Sequence, residues 1–171
     1  MMASQTWAAV RLWGVAELGA AVTEVIRADQ NAPRPATPFA TVKVLADAPV
    51  GHAHIADVDD DGIVRIGQDS ELTVSLQVFG GEAMDLAQAL QRSLDRTTVQ
   101  EDFRRAGLVY VDLLTPVSDT TAVTGSGFES RAQFDLRFRT ATEITDDVGL
   151  IETVIGTGTI NGVSTPYEVT I

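Results

Sequence analysis

The chain has 171 residues, a net charge of −12 at pH 7, 44% hydrophobic residues and no cysteine. This length and composition predict a soluble globular protein with a real hydrophobic core, and they exclude disulfides and thiolate metal sites. The acidic balance argues against a protein that wraps around nucleic acid, because such proteins neutralise phosphates with clustered Lys and Arg, although DNA could slide past an acidic surface.

The first predicted element is a helix. Ser4 is placed to cap it, and amphipathic helix spacing then follows at Leu18, Val22, Val25 and Ile26. Three prolines between residues 30 and 38 end the helix and form a stiff connector. Charged side chains interrupt the apolar stretch of residues 8–26, so neither a membrane span nor a signal peptide is expected.

The middle of the chain is predicted to alternate between strands and one further helix. Leucines at i, i+4 and i+8 predict a second amphipathic helix over Glu82–Arg96. A polar loop is predicted over residues 115–128, which is long for a connection. Strands are predicted at residues 39–45, 63–66, 72–79 and 108–114.

The stretch from Arg131 to Arg139 predicts a strand with one apolar and one charged face, because side chains alternate with period two. Its apolar face consists of Ala132, Phe134, Leu136 and Phe138. Its other face concentrates three of the 11 arginines of an acidic chain. Outward arginines suit pairing with acidic surface on another subunit, but they are also common on an ordinary sheet surface, where charge deters aggregation.

The C-terminal segment, residues 153–171, is predicted to form a hairpin, because Asn161-Gly162 is a favoured two-residue turn. Pro166 confines the second arm to a sheet edge. Together the elements predict an α+β fold, with a mainly antiparallel sheet covered by two helices and a C-terminal β-hairpin extension. We expect one α+β domain over residues 1–152, followed by a hairpin or arm over 153–171.

One short motif suggests calcium. Asp57 to Gly62 places acids at loop positions one, three and five and glycine at six, but the twelfth position is Gln68, where a bidentate Glu belongs. The alternative is an Asp-Gly turn with a solvated acidic tip. His52 and His54, the two histidines, fall on one side of an extended segment, and ordinary surface positions are favoured over zinc ligation.

Other groupings do not predict catalysis. The scattered carboxylates have no spacing that sets a productive separation, and two short Gly-rich stretches lack a phosphate-cradle pattern. We therefore expect no enzyme activity, no catalytic residues, no metal site and no cofactor. The carboxylates considered are Asp112, Asp119, Glu143, Asp146, Asp147 and Glu152.

Several segments taken in order resemble the neck or tail-terminator proteins of long-tailed phages. The most specific is Glu129–Arg139, Glu-Ser-Arg-Ala-Gln-Phe-Asp-Leu-Arg-Phe-Arg. The other resembling segments are residues 29–35, 74–80, 104–108, 145–149 and 151–154. The chain departs from the family over residues 46–68 and after Thr153.

The resemblance implies an α+β subunit of a hexameric ring between the head–tail connector and the tail tube. Such a ring would stop tail polymerisation and join head to tail around the DNA channel. Its partners would be further copies, the connector or stopper protein and the tube protein. DNA would pass without sequence-specific binding, and no membrane would be involved. The protein would be assembled in the host cytoplasm and reside in the virion.

A ring needs heterologous contacts, in which one face of a subunit meets a different face of the next. We therefore predict that Arg131, Asp135, Arg137 and Arg139 contribute to a subunit interface. Two alternatives remain open. One is another neck or tail component, such as a connector or tube-end protein, and the other is a small monomeric calcium- or ligand-binding module centred on residues 57–62.

Overall fold

The computed structural model describes residues 3–125, 127–150 and 153–170, and it is a mixed α+β structure. Its helices are α1 (Ala3–Leu18), α2 (Ala83–Ser93) and α3 (Thr97–Arg105). Its strands are β1 (Val25–Arg27), β2 (Phe39–Pro49), β3 (His54–Ile55), β4 (Ile63–Phe79), β5 (Val109–Asp119), β6 (Ala122–Thr124), β7 (Gly127–Glu129), β8 (Arg131–Asp147), β9 (Thr153–Ile160) and β10 (Val163–Thr170).

The main sheet has the order β1-β2-β4-β8-β5, and β3 also pairs with β4. β1 runs parallel to β2, whereas the pairings of β2 and β3 with β4 and of β5 with β8 are antiparallel. Two separate two-stranded sheets join β6 to β7 and β9 to β10. The predicted α+β class with a C-terminal hairpin is therefore confirmed, but the described residues contain three α-helices where two were expected.

The chain divides into two compact units. One comprises Met1–His52 and Gln68–Thr142, and the other comprises Ala53–Gly67 and Glu143–Ile171. The expected domain boundary after residue 152 falls on residues outside the described part of the chain and stays a prediction. None of the helices in the described part has the length and hydrophobicity that a membrane span requires.

The core of the larger unit lies between the helices and the apolar face of the sheet. On β4, Leu72, Val74, Leu76 and Val78 are at most 1% exposed, as their alternation predicts. An aromatic row links helix to sheet: the Phe103 ring lies 5.6 Å from Trp13 and 4.9 Å from Phe138. The helices are thus fixed to the sheet by burial of apolar area, the dominant favourable term in folding.

The predicted first helix is wrong in its second half. The α-helix ends at Leu18, a short 3₁₀ turn follows from Gly19, whose φ is +50°, and Val25 and Ile26 belong to β1. Val25 is 2% exposed because β1 pairs with β2 at the edge of the sheet, so this apolar residue is buried as part of a strand and not as part of a helix. Hydrogen bonds to β2, a later strand, determine the conformation of these residues, and the spacing of apolar residues along the sequence carries no information about them.

The predicted second helix is also shorter than expected. α2 ends at Ser93, and Arg96, in extended conformation, precedes α3, which was not predicted. α3 is strongly charged, and only Val99 and Phe103 face the core. Two apolar residues four apart in a nine-residue helix give a weak periodic signal, so the sequence pattern did not reveal it.

Three predictions about strands and turns have different outcomes. The strands predicted at 63–66 and 72–79 are parts of one continuous strand, β4. The loop predicted over 115–128 is wrong, because β5 runs on to Asp119 and β6 and β7 form a hairpin. The hairpin turn at Asn161-Gly162 is confirmed, with positive φ at both residues, +52° and +80°, as a type I′ turn requires.

Candidate subunit interface

The two faces of β8 differ as the alternation predicts. Its apolar residues Ala132, Phe134, Leu136 and Phe138 are all fully buried. The intervening residues are partly or largely exposed, and they share the polar face of the sheet with side chains from β4 and β5. This polar face between residues 131 and 139 is the region where the sequence predicted an interface.

Arg137 lies at the centre of this face, on the strand between β4 and β5. Its Nε donates to Asp112 Oδ1 at 2.8 Å, and a terminal nitrogen binds the second oxygen of the same carboxylate. The other terminal nitrogen donates to Glu71 Oε1 at 3.1 Å. The guanidinium therefore holds one acid on each neighbouring strand, with bidentate geometry on one side.

The ion pairs perturb both partners. Hydrogen bonding to Arg137 lowers the pKa of Asp112 below its ordinary value of 3.8. The same contacts, first with Asp112 and then with Glu71, raise the pKa of Arg137 further above its ordinary value. Both groups therefore keep their charges at neutral pH, and the acids that hold Arg137 belong to its own chain.

Arg139 is less completely paired than Arg137. Its terminal nitrogen lies 3.8 Å from Glu71 Oε2, which is an ion-pair distance but too long for a good hydrogen bond. Its side chain is 56% exposed, whereas that of Arg137 is 30% exposed. Among the four predicted interface residues, Arg139 therefore retains the most hydrogen-bonding capacity towards a partner.

Arg131 belongs to a second cluster at the start of β8. Its Nε donates to Glu129 Oε2 at 2.7 Å, and Arg34 of the proline-rich connector binds the other oxygen of that carboxylate. Partial burial favours a raised pKa for Glu129, but the hydrogen bonds from Arg131 and Arg34 outweigh it and leave this pKa lowered. Both guanidinium groups also lie over the Phe79 ring, at 5.2 and 5.5 Å.

Asp135 is the least satisfied of the predicted residues. Its amide donates to Thr115 Oγ1 at 2.9 Å, but its carboxylate Oδ1 is buried without a hydrogen-bond partner in the described structure. Beside it, Gln133 donates to Ser75 Oγ at 3.3 Å and accepts from Gln77 at 2.9 Å. The polar face is thus cross-linked over β4 and β8 by side chains as well as by the sheet.

Sequence reasoning identified the arginines but missed their acidic partners. Glu71 precedes the predicted strand 72–79 by one residue, so the alternation already placed it on the polar face with Ser75. The missing information was the strand order, because only the placement of β8 between β4 and β5 brings Glu71 and Asp112 to one guanidinium.

The acidic motif at Asp57–Gly62 forms a turn. Asp59 Oδ1 accepts from the amides of Asp61 at 3.1 Å and of Ile63 at 2.9 Å, and Gly62 has a φ of +78°. The carboxylate thus stabilises the backbone of the β3–β4 connection. In the described residues, no group of three or more His, Asp or Glu side chains is arranged to hold a metal ion.

The sequence matches the family of phage neck terminator proteins over residues 5–163. The chain belongs to this family. A neck terminator protein is a structural component of the phage virion and contacts other proteins of the head or tail. The match includes β1 to β8 and their helices, and therefore the whole polar face described above. A comparison with curated proteins found no match.

Proposed function

We propose that this neck terminator protein forms a ring, a hexamer, between the head–tail connector and the tail tube. The ring terminates tail polymerisation and joins head to tail around the DNA channel. The observation that carries this proposal is the family match over nearly the whole chain. The protein acts by shape and self-association, without enzymatic activity or a cofactor, and it is assembled in the host cytoplasm.

Two features of the chain support a ring through which DNA passes. The net charge of −12 repels phosphate, so DNA slides through the lumen without sequence-specific binding. The polar face of the sheet displays Arg131, Asp135, Arg137 and Arg139, which suit a contact with a different face of the next copy. Because Arg137 is paired within its own chain, Arg139 is the residue to test first.

The ring is tested by native mass spectrometry of the purified chain and by electron microscopy of particles assembled without it. We expect a hexameric mass, and particles with unjoined heads and tails whose tubes vary in length. Tails of normal length that are joined to heads in the absence of the chain would refute the proposal.

The interface is tested by charge reversal at Arg139, with Arg92→Glu as the matched control. Arg92 is exposed and hydrogen-bonds to Gln88 of its own helix, so its reversal changes the net charge equally but away from the polar face. Arg139→Glu should weaken ring assembly, because it places an acid beside Glu71 and removes the cation offered to the neighbour. Equal oligomer masses for the two variants would contradict this part of the proposal.

A further inference from the structure

The hairpin of β6 and β7 carries an exposed apolar pair. Val123 and Phe128 face each other across the two strands, and they are 70% and 83% exposed. A large aromatic side chain with this exposure, supported by a cross-strand aliphatic neighbour, is the anchor that protein interfaces bury at their centre. We call Val123 and Phe128 the apolar knob.

The same unit carries an apolar groove between α1 and α3. The groove has a volume of about 310 Å³, and Leu12 in its wall is 65% exposed. Its lining consists mainly of Ala9, Leu12, Trp13, Ala16, Val99 and Phe103. Two acids, Glu17 and Asp102, also line it, and each is paired with an arginine of its own chain.

The knob does not fill the groove of its own chain. The groove is lined by Phe103, whose ring contacts Phe138 on β8, whereas the knob adjoins Arg131 at the start of that strand. The seven residue-to-residue steps from Arg131 to Phe138 span about 23 Å of extended chain. The knob therefore lies beside the start of β8 and the groove beside its middle, and only a second molecule can bring them together.

We infer that the apolar knob of one copy inserts into the α1–α3 groove of the next copy and anchors the contact between them. Because knob and groove are different surfaces of one chain, the contact is heterologous and repeats head to tail, as a ring requires. This inference deepens the proposed ring by naming the surfaces that meet.

Charge favours a second copy as the occupant. Copies with a net charge of −12 repel one another, so contacts between them favour surface that is locally neutral or complementary in charge. Residues 120–128, which include the knob, contain no charged side chain, and the two acids of the groove are neutralised by Arg96 and Arg105. The knob thus enters an apolar site without bringing an unpaired charge into it.

Area limits what the knob does alone. An aromatic side chain buries about 150–250 Å², whereas each partner of a standard interface buries about 800 Å². The knob is therefore the anchor of a larger contact. Truncation of such an aromatic anchor weakens association by a factor of about 30 or more, the loss that defines a central interface residue.

The test uses one variant of each surface in the full chain. Phe128→Ser removes the aromatic ring of the knob, and Ala16→Arg fills the groove at an exposed helical position. We expect each variant alone to dissociate to monomers at concentrations where the native chain assembles, as measured by mass photometry and sedimentation. Leu45→Ser and Val15→Arg are matched controls at exposed positions outside knob and groove, and we expect them to assemble normally.

A mixture of the two variants distinguishes this contact from any other. The intact knob of Ala16→Arg fits the intact groove of Phe128→Ser, but the resulting pair has no further competent surface. We therefore expect the mixture to stop at a heterodimer. Normal rings from Phe128→Ser would overturn the inference and leave the proposed ring standing. A native chain that stays monomeric at all concentrations would overturn the inference, while microscopy of virions would still test the ring in place.

Discussion

A comparison of two phenylalanines tests how the core is built. Phe138 is fully buried, with its ring 4.9 Å from Phe103 and 6.0 Å from Tyr110, whereas Phe128 is 83% exposed. The same substitution, Phe→Ala, at both positions removes the same atoms from opposite environments. Any difference in the free energy of unfolding then reports burial and packing.

The magnitude follows from the packing. Removal of a fully buried Phe costs about 3–5 kcal/mol, because apolar burial is lost and the surrounding residues leave a cavity. Each aromatic pair lost at Phe138 contributes about 0.5–1.5 kcal/mol of this cost. At Phe128 the unfolding free energy of the monomer should change by less than about 0.5 kcal/mol, since the ring is already in water.

Urea denaturation measures both values, and Trp13 supplies the signal because its indole packs against Phe103. With a dependence of about 2 kcal/mol per M urea, Phe138→Ala should lower the midpoint by about 2 M. Phe128→Ala should leave the midpoint nearly unchanged under monomeric conditions. Similar shifts for the two variants would refute the assignment of Phe138 to the core between helices and sheet.

Three further predictions address other contacts. Ser93→Ala should lower the free energy of unfolding by about 1–3 kcal/mol, as measured by urea denaturation, because the buried indole Nε1 of Trp13 donates to Ser93 Oγ at 2.9 Å and would lose its acceptor. An unchanged free energy of unfolding would contradict that hydrogen bond. Gly162→Ala should destabilise the β9–β10 hairpin by about 1–3 kcal/mol, as measured by hydrogen exchange, because the φ angle of Gly162 is +80° and alanine is strained there. Gly158→Ala is the tolerated control, because a Cβ added there comes no closer than 4.0 Å to its nearest neighbour. Equal losses of protection in the two variants would refute the turn. Asp112→Asn should be less stable than the native chain at pH 7, and the difference should shrink as the pH falls below about 4. The pKa of Asp112 is lower in the folded chain than in the unfolded chain, so its ion pair stabilises the fold at a pH above the unfolded pKa. This stabilisation is lost as the pH falls through the folded pKa. If the stability difference between the two chains were the same at pH 7 and at about pH 2.5, the ion pair would be contradicted.

The sequence predicted the elements whose signal is local. The alternation over Arg131–Arg139 is sufficient for a strand with one buried face, and Asn161-Gly162 is sufficient for a tight turn. Both signals persist because the period of a strand and the preference for positive φ depend on neighbouring residues alone. The leucine spacing likewise predicted α2, although its end at Ser93 was not visible.

The elements that were missed depend on distant partners. Val25 and Ile26 have helical spacing but form a strand because β2 offers them hydrogen bonds. Residues 115–128 look like a polar loop, yet Asp119 still pairs with β8, and the following residues pair with each other. Such short strands are hard to predict from a sequence rich in turn residues, since they are stabilised by pairing with another strand and not by the β-propensity of their own residues.

The candidate interface divides in the same way. The sequence by itself determined that β8 has an apolar face and an arginine-rich face, and its ordered segments already resembled the phage neck terminator family. Only the tertiary structure decided that Glu71 and Asp112 of the same chain hold Arg137, and that an apolar knob lies beside the start of β8 while an apolar groove lies beside its middle. The physical reason is that side-chain alternation is a property of one strand, whereas ion pairs and grooves depend on which strands and helices become neighbours.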